Sequence, residues 1–161
     1  MVCLALKYVK TISIKELHRL ARLLYPFLQN DFYLPWKHNE IDKIIEKSIA
    51  VLVGLKIVNL TTSKSLQKPD KKGENYLNYL ALSNVCESSV KRLYIVMNTL
   101  WLKEKLDIKE LNNKCIKIAN RLQNIEGWLY TEFSDPLKFS IFINKLIQDR
   151  YIKEDKNNKI S

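Results

Sequence analysis

Glycine is scarce in this chain of 161 residues, occurring three times, cysteine is equally rare and proline occurs four times. Scarce glycine argues against fibrous and loop-dominated architectures, and an apolar content of 47% argues against a disordered one. Cys3, Cys86 and Cys115 are odd in number and far apart, with no C-x-x-C pair and no histidine nearby in sequence to complete a zinc site. They read as reduced, mostly buried thiols of a cytosolic setting, with no metal or cofactor implied. No run approaches the ~18 apolar residues of a membrane span. The opening MVCLALKYVK has no basic leader followed by an apolar core and a cleavage site. Any membrane association is therefore expected to be peripheral or to come through another segment.

What is abundant is lysine. The net charge of +10 would ordinarily point to nucleic acid or an anionic membrane surface. Lysine, however, greatly outnumbers arginine, and isoleucine and asparagine are plentiful while alanine and glycine are few, which is the drift expected in an AT-rich genome. The clusters at Lys68 to Lys72 and Lys153 to Lys159 fall in an expected loop and tail, where a solvated charge run is the plainer reading. The length suits one domain, or two small subdomains sharing a core.

The stretch LLYPFLQNDFYLPW, residues 23–36, holds five aromatics and two prolines with one charge. Its apolar side chains need cover, at about 1.5–3 kcal/mol for each large one fully buried. Pro26 and Pro35 are expected to break it into a rigid aromatic hinge between helices.

Around that hinge the pattern is helical. Ser13 and Glu16 form a capping box for a helix that stops at Tyr25 and turns Ile14, Leu17, Leu20, Ala21 and Leu24 inward. Asn39 caps an amphipathic helix built on Ile41, Ile44, Ile45, Ile49 and Leu52, with Gly54 as its stop. Residues 55–62 read as a strand, 63–75 as a long turn and 76–82, YLNYLAL, as a second strand, so helix and hairpin together are winged-helix-like. A helix beginning at Ser83 or Ser88 is expected to bury Val90, Leu93, Tyr94, Met97, Leu100 and Trp101. Asp107 and Glu110 open another that uses Leu111, Cys115, Ile118, Ala119 and Leu122 and ends at Gly127. Asp135 and Pro136 open the last, with Phe139, Phe142, Ile143, Leu146 and Ile147 inside. The expectation is a mainly α fold of about five to six helices with one β-hairpin, spanning 1–152, then a polar fraying tail at 153–161. No internal repeat is evident.

These segments, in order, carry a family resemblance. LYPFLQNDFYLPW leading into EIDKIIEKSIAVLVGLKIV resembles the C-terminal region of the bacterial membrane-bound glycerol-3-phosphate acyltransferases. So do YLALSNVCESSVKRLYIVMNTLW and the spacing of Arg121, Leu122, Gly127, Glu132, Phe133, Asp135, Phe142, Tyr151 and Ile152. Pro35 stands where the family's pattern has a basic residue. The resemblance implies a scaffold or docking role beside an upstream catalytic region. That region would move an acyl chain from acyl-CoA or acyl-carrier protein to glycerol 3-phosphate at the cytoplasmic face of the bacterial inner membrane, held peripherally to anionic lipid.

Catalysis in that family needs a histidine base with an aspartate five residues on to orient it. Five residues after His18 lies Leu23, and five after His38 lies Lys43. His38 and Asp42 approach the motif at spacing four, at a helix start where the dipole disfavours an imidazolium. Arg19 and Arg22 could grip a phosphate as a pair, or simply form a solvated face. There is no G-x-S-x-G, P-loop or GxGxxG sequence, so no catalytic, cofactor-binding or metal-binding residue is assigned. The alternative reading is a winged-helix nucleic-acid binder presenting Asn112, Asn113, Lys117, Asn120 and Arg121. A third is a non-catalytic interaction domain whose aromatic hinge docks on a membrane or partner.

Overall fold

The computed structural model describes residues 1–102, 106–126, 131–153 and 159–160. The chain forms two compact units, Met1–Glu87 and Ser88–Ser161. In the first, α1 (Val2–Tyr8) and β1 (Thr11–Ser13) lead into α2 (Ile14–Phe32). A 3-10 turn at His38–Glu40 then opens α3 (Ile41–Gly54), followed by β2 (Asn59–Leu60), β3 (Ser65–Gln67) and α4 (Tyr76–Asn84). The strands form an antiparallel sheet in the order β1-β3-β2, with Ile12 opposite Leu66 and Asn59 opposite Gln67. Helix followed by hairpin is the winged-helix-like order expected, and the chain is mainly α, with seven α-helices among the described residues where five to six were expected. Leu6, Leu17, Ala21 and Leu66 are completely buried at its centre, with Ile41, Ile45 and Ile49 of α3 closing over them.

Local chemistry explains most boundaries. Ser13 ends β1 and caps α2, its hydroxyl accepting from the Glu16 N–H at 3.2 Å. The 3-10 turn before α3 is closed by Glu40, whose carboxylate accepts from the Lys37 N–H at 2.8 Å, and α3 itself starts without a side-chain cap, from Asn39 or any other residue. Its end is a Schellman motif: Lys56 sits in the left-handed region (φ 56°), and the N–H groups of Lys56 and Ile57 reach back to Val53 and Leu52 at 2.9 Å. Gly54 is merely the last helical residue.

Four further expectations are corrected. The helix does not stop before Pro26; α2 runs through it to Phe32, and Tyr33 (φ 51°) ends it. A mid-helix proline costs about 3 kcal/mol. Continuing the helix buries Tyr25, Phe27 and Leu28, each contributing about 1.5–3 kcal/mol, so burial outweighs the break. The hinge shrinks to residues 33–37, folded back by the Tyr25 hydroxyl and Gln29 amide, which donate to the Trp36 carbonyl at 2.6 and 3.0 Å. Second, the hairpin is the short pair β2 and β3, and YLNYLAL is helix α4, because Tyr76, Tyr79, Leu80 and Ser83 recur at helical spacing against the core.

Third, α5 (Glu87–Trp101) buries Ser89, Arg92, Ile95, Val96 and Thr99. Tyr94, Met97 and Trp101, expected inside, are 67%, 46% and 88% exposed. The helix has two apolar faces, and the more aromatic one lies outward. Fourth, the chain does contain a repeat. In the second unit β4 (Leu106–Asp107) leads into α6 (Ile108–Glu126), a 3-10 turn at Thr131–Ser134, α7 (Pro136–Gln148) and β5 (Lys159–Ile160). The stop at Gly127, and residues 154–158 and 161 of the tail, lie outside the described residues, whereas Lys159 and Ile160 form a strand.

This order reproduces the first unit at a constant offset of 94, from Ile12 and Leu106 to Leu66 and Ile160. IKEL recurs at 14–17 and 108–111, and LQN at 28–30 and 122–124. Asp107 caps α6 as Ser13 caps α2, accepting from the Glu110 N–H at 2.7 Å. Arg150 (φ 60°) ends α7 as Lys56 ends α3, and Ile147 and Leu146 accept from Arg150 and Tyr151 at 3.0 and 2.9 Å. Positive φ at a non-glycine residue is uncommon, so its recurrence at the same offset is strong support. Buried positions match too: Leu17 with Leu111, Ala21 with Cys115, Ile49 with Ile143 and Val58 with Ile152. The repeat escapes inspection because most equivalent residues differ in identity while keeping their burial.

Leu17→Ala and Leu111→Ala should each lower stability by about 2–5 kcal/mol, the usual cost of such a core cavity. Urea unfolding read by circular dichroism checks this, and a loss below 1 kcal/mol for either would contradict the equivalence of their packing.

Candidate functional site

Two features of the first unit gather the side chains with chemical character. The first is polar. His18 and Arg22 lie one turn apart on α2, and Asp42 stands in the first turn of α3. His18 Nδ1 is 2.8 Å from Asp42 Oδ1, while Arg22 donates from Nε to Oδ1 at 2.9 Å and from Nη2 to Oδ2 at 2.7 Å. The Arg22 hydrogen bonds, then that of His18, hold the Asp42 carboxyl down to about 2. Lys15, Arg19 and Glu46 complete the surrounding cleft.

In sequence Asp42 comes nearest to His38, at a spacing of four that does not fit the motif, and His38 reads as a surface residue. The structure gives Asp42 to His18, and leaves His38 exposed with its ring centroid 6.3 Å from that of Tyr25. No spacing rule could find the His18 and Asp42 contact, because it depends on how α2 crosses α3. A histidine oriented by an aspartate resembles a general-base dyad, yet here the carboxylate is already engaged by a two-point guanidinium contact. The second unit also carries a polar tie at this place: Asn112, equivalent to His18, donates from Nδ2 to Ser140 Oγ at 3.0 Å. An asparagine cannot act as a base, so the common feature is joining the two helices. Arg22 is committed to this tie while Arg19 faces solvent, so the two arginines are not a matched phosphate clamp.

The second feature is an apolar groove of about 660 Å³. It runs between Met1 and Val2 of the α1 end, Tyr25, Leu28 and Phe32 of α2, Ile44, Ser48 and Val51 of α3, and Leu82, Val85 and Cys86 beyond. Trp36 stands on its wall and is 40% exposed. Ser48 was the missed sequence signal, a small polar residue within the apolar periodicity of α3. Cys3, also on the wall, has its thiol pushed up by burial; Cys115 in the other unit is raised by burial to about 11. All three cysteines are free thiols, Cys3 and Cys115 buried and Cys86 half-buried.

The residues proposed for a nucleic-acid groove lie on α6, with Asn112 turned into the tie to Ser140 and Asn113, Lys117, Asn120 and Arg121 exposed. By the repeat, α6 corresponds to α2, whereas the helix in the reading position of a winged helix would be α3 or α7. α3 exposes Lys43 and Lys47 beside Glu46, and α7 exposes Leu137 and Ile141. Neither is a cationic face suited to phosphates. Among the described residues no group of three metal-ligating side chains occurs, and no helix is long and apolar enough to cross a membrane.

The low Asp42 pKa gives a pH prediction. The folded carboxyl titrates near 2 against 3.8 ordinarily, so unfolding takes up a proton as pH falls below about 4. The stabilisation from the tie is complete above that range and is lost as pH falls from 4 toward 2. Asp42→Asn should therefore lower the urea midpoint at pH 6 and show a smaller drop than the wild type between pH 5 and 3. An unchanged drop would remove Asp42 as its source.

Comparison with known proteins matches the same stretch. The family model described as "Glycerol-3-phosphate acyltransferase C-terminal region" fits residues 1–155. A glycerol-3-phosphate acyltransferase of Pseudomonas paraeruginosa is 29% identical over 152 residues, covering 93% of this chain and 18% of that protein. Proteins of the same name from Pseudomonas syringae pv. tomato and Pseudomonas fluorescens are 24% and 25% identical, with the same coverage. The chain thus spans about a fifth of the length of these curated relatives, and no solved structure matches it. With the family model covering nearly every residue, the chain belongs to the glycerol-3-phosphate acyltransferase C-terminal region family.

Proposed function

We propose that this chain is the non-catalytic C-terminal part of a glycerol-3-phosphate acyltransferase and acts by docking to and supporting a catalytic region. The observation that carries this is a match through residues 1–155 in a sequence where neither His18 nor His38 has an aspartate five residues on. Acyl transfer to a hydroxyl needs a base to take its proton. The one oriented histidine, His18, is a buried helix tie whose counterpart is Asn112. No residue of this chain is assigned a catalytic, cofactor or metal role.

The reaction is acyl transfer from acyl-CoA or acyl-carrier protein to glycerol 3-phosphate, within phospholipid synthesis, and its chemistry belongs to the upstream region. Placement is peripheral, at the cytoplasmic face of the inner membrane, with contact to anionic lipid made through that region. Exposed Tyr94, Trp101 and Leu102 on and after α5, and Tyr33 after α2, supply the apolar surface expected of a part that works against a partner.

The test is acyl transfer with glycerol 3-phosphate and an acyl-CoA, using the purified chain alone and mixed with a separately expressed upstream acyltransferase region. Transfer only in the mixture is expected. Transfer by the chain alone would refute its non-catalytic role, and no gain over the upstream region alone would refute its support of catalysis.

A further inference from the structure

The repeat shows what the apolar groove lacks. At the offset of 94, α1 (Val2–Tyr8) corresponds to the C-terminal half of α5, with Val2 matching Val96 and Ala5 matching Thr99, all four buried. In the second unit the helix continues toward its N-terminus by residues 88–94, about two turns, with Ser89 and Arg92 buried. In the first unit the equivalent turns would precede Met1. Met1, Val2 and Cys3 line the groove there, so a helix continued backward from α1 meets it.

We infer that this groove seats an apolar face of a helical segment supplied by the region that precedes this one in the full-length relatives. The segment runs into α1 as residues 88–94 run into the rest of α5. The inference rests on the reading of the chain as a C-terminal region, which in the relatives occupies 18% of the protein. It goes further by naming the contact. The groove walls are almost wholly apolar, from Leu28 and Phe32 on one side to Ile44, Val51 and Val85 on the other. That chemistry fits one stripe of an amphipathic helix. The repeat also explains why the groove is open: Ser48 stands where Phe142, fully buried, stands in the second unit.

The probe is a fluorescein-labelled peptide of about eighteen residues, five helical turns, copied from the sequence immediately preceding the matched stretch in the Pseudomonas paraeruginosa relative. Anisotropy should rise saturably on adding the whole 161-residue chain, and Cys86 should become protected from maleimide. Buried Cys115 is the unreactive reference. Ser48→Phe, which copies the chain's own second unit, and Val51→Arg, at a site 59% exposed, should each weaken binding by about tenfold or more, as loss of a central contact does. Absence of saturation, or affinity unchanged in both folded variants, would overturn the proposal. So would cis-parinaric acid filling the groove without displacement by peptide, which would assign it to an acyl chain. Self-association broken by Val51→Arg would also overturn it, in favour of a second copy. Binding without any gain in acyl transfer would leave the docking contact standing and refute only the catalytic support.

Discussion

Each unit depends on one residue that belongs to two elements at once. Ser13 is paired in the sheet with Ser65 and caps α2, and Asp107 is paired with Lys159 and caps α6. With one residue fixed in both roles, the helix cannot rotate relative to the sheet without losing the cap or the pairing. Leu17 and Leu111, four residues on, therefore always face inward, and the packing of the second and third helices follows. The strands are only two or three residues long. A sheet that small is marginal alone, and its part here is to set the register of the helices.

Much of this was legible in the sequence, because capping and periodicity are local. The caps at Ser13, Asp107 and Asp135 and the stripe of Ile41, Ile45 and Ile49 all stand as read. What misled were residues whose local preference opposes their tertiary role. Pro26 says stop, but three large side chains around it gain more by continuing. The YLNYLAL segment is as rich in β-formers as in helix-formers, and only the core it meets decides. On α5 two apolar faces compete, and periodicity alone cannot rank Val96 against Met97.

The candidate site was less legible, for a related reason. The separation of His18 from Asp42 along the chain says nothing of their contact at 2.8 Å. Once the contact is known, it invites a catalytic reading that a single chain of this kind would have no means to reject. The duplication supplies that means: an equivalent position filled by Asn112 does the same mechanical work with no titratable group. An internal repeat thus serves as a control for assigning roles to side chains, separating what the fold requires from what one copy happens to carry. The same comparison exposes the groove, since what is continuous in one copy is interrupted in the other.

The helix ends at Lys56 and Arg150 bear on how such a chain tolerates its own composition. A left-handed residue closing a helix is usually glycine, and a side chain there costs about 1–2 kcal/mol. A cation in the same place meets the negative end of the helix dipole, which returns about 0.3–1 kcal/mol. Both third helices of this chain end on a cation, so each recovers at its own terminus part of what it costs to close without glycine.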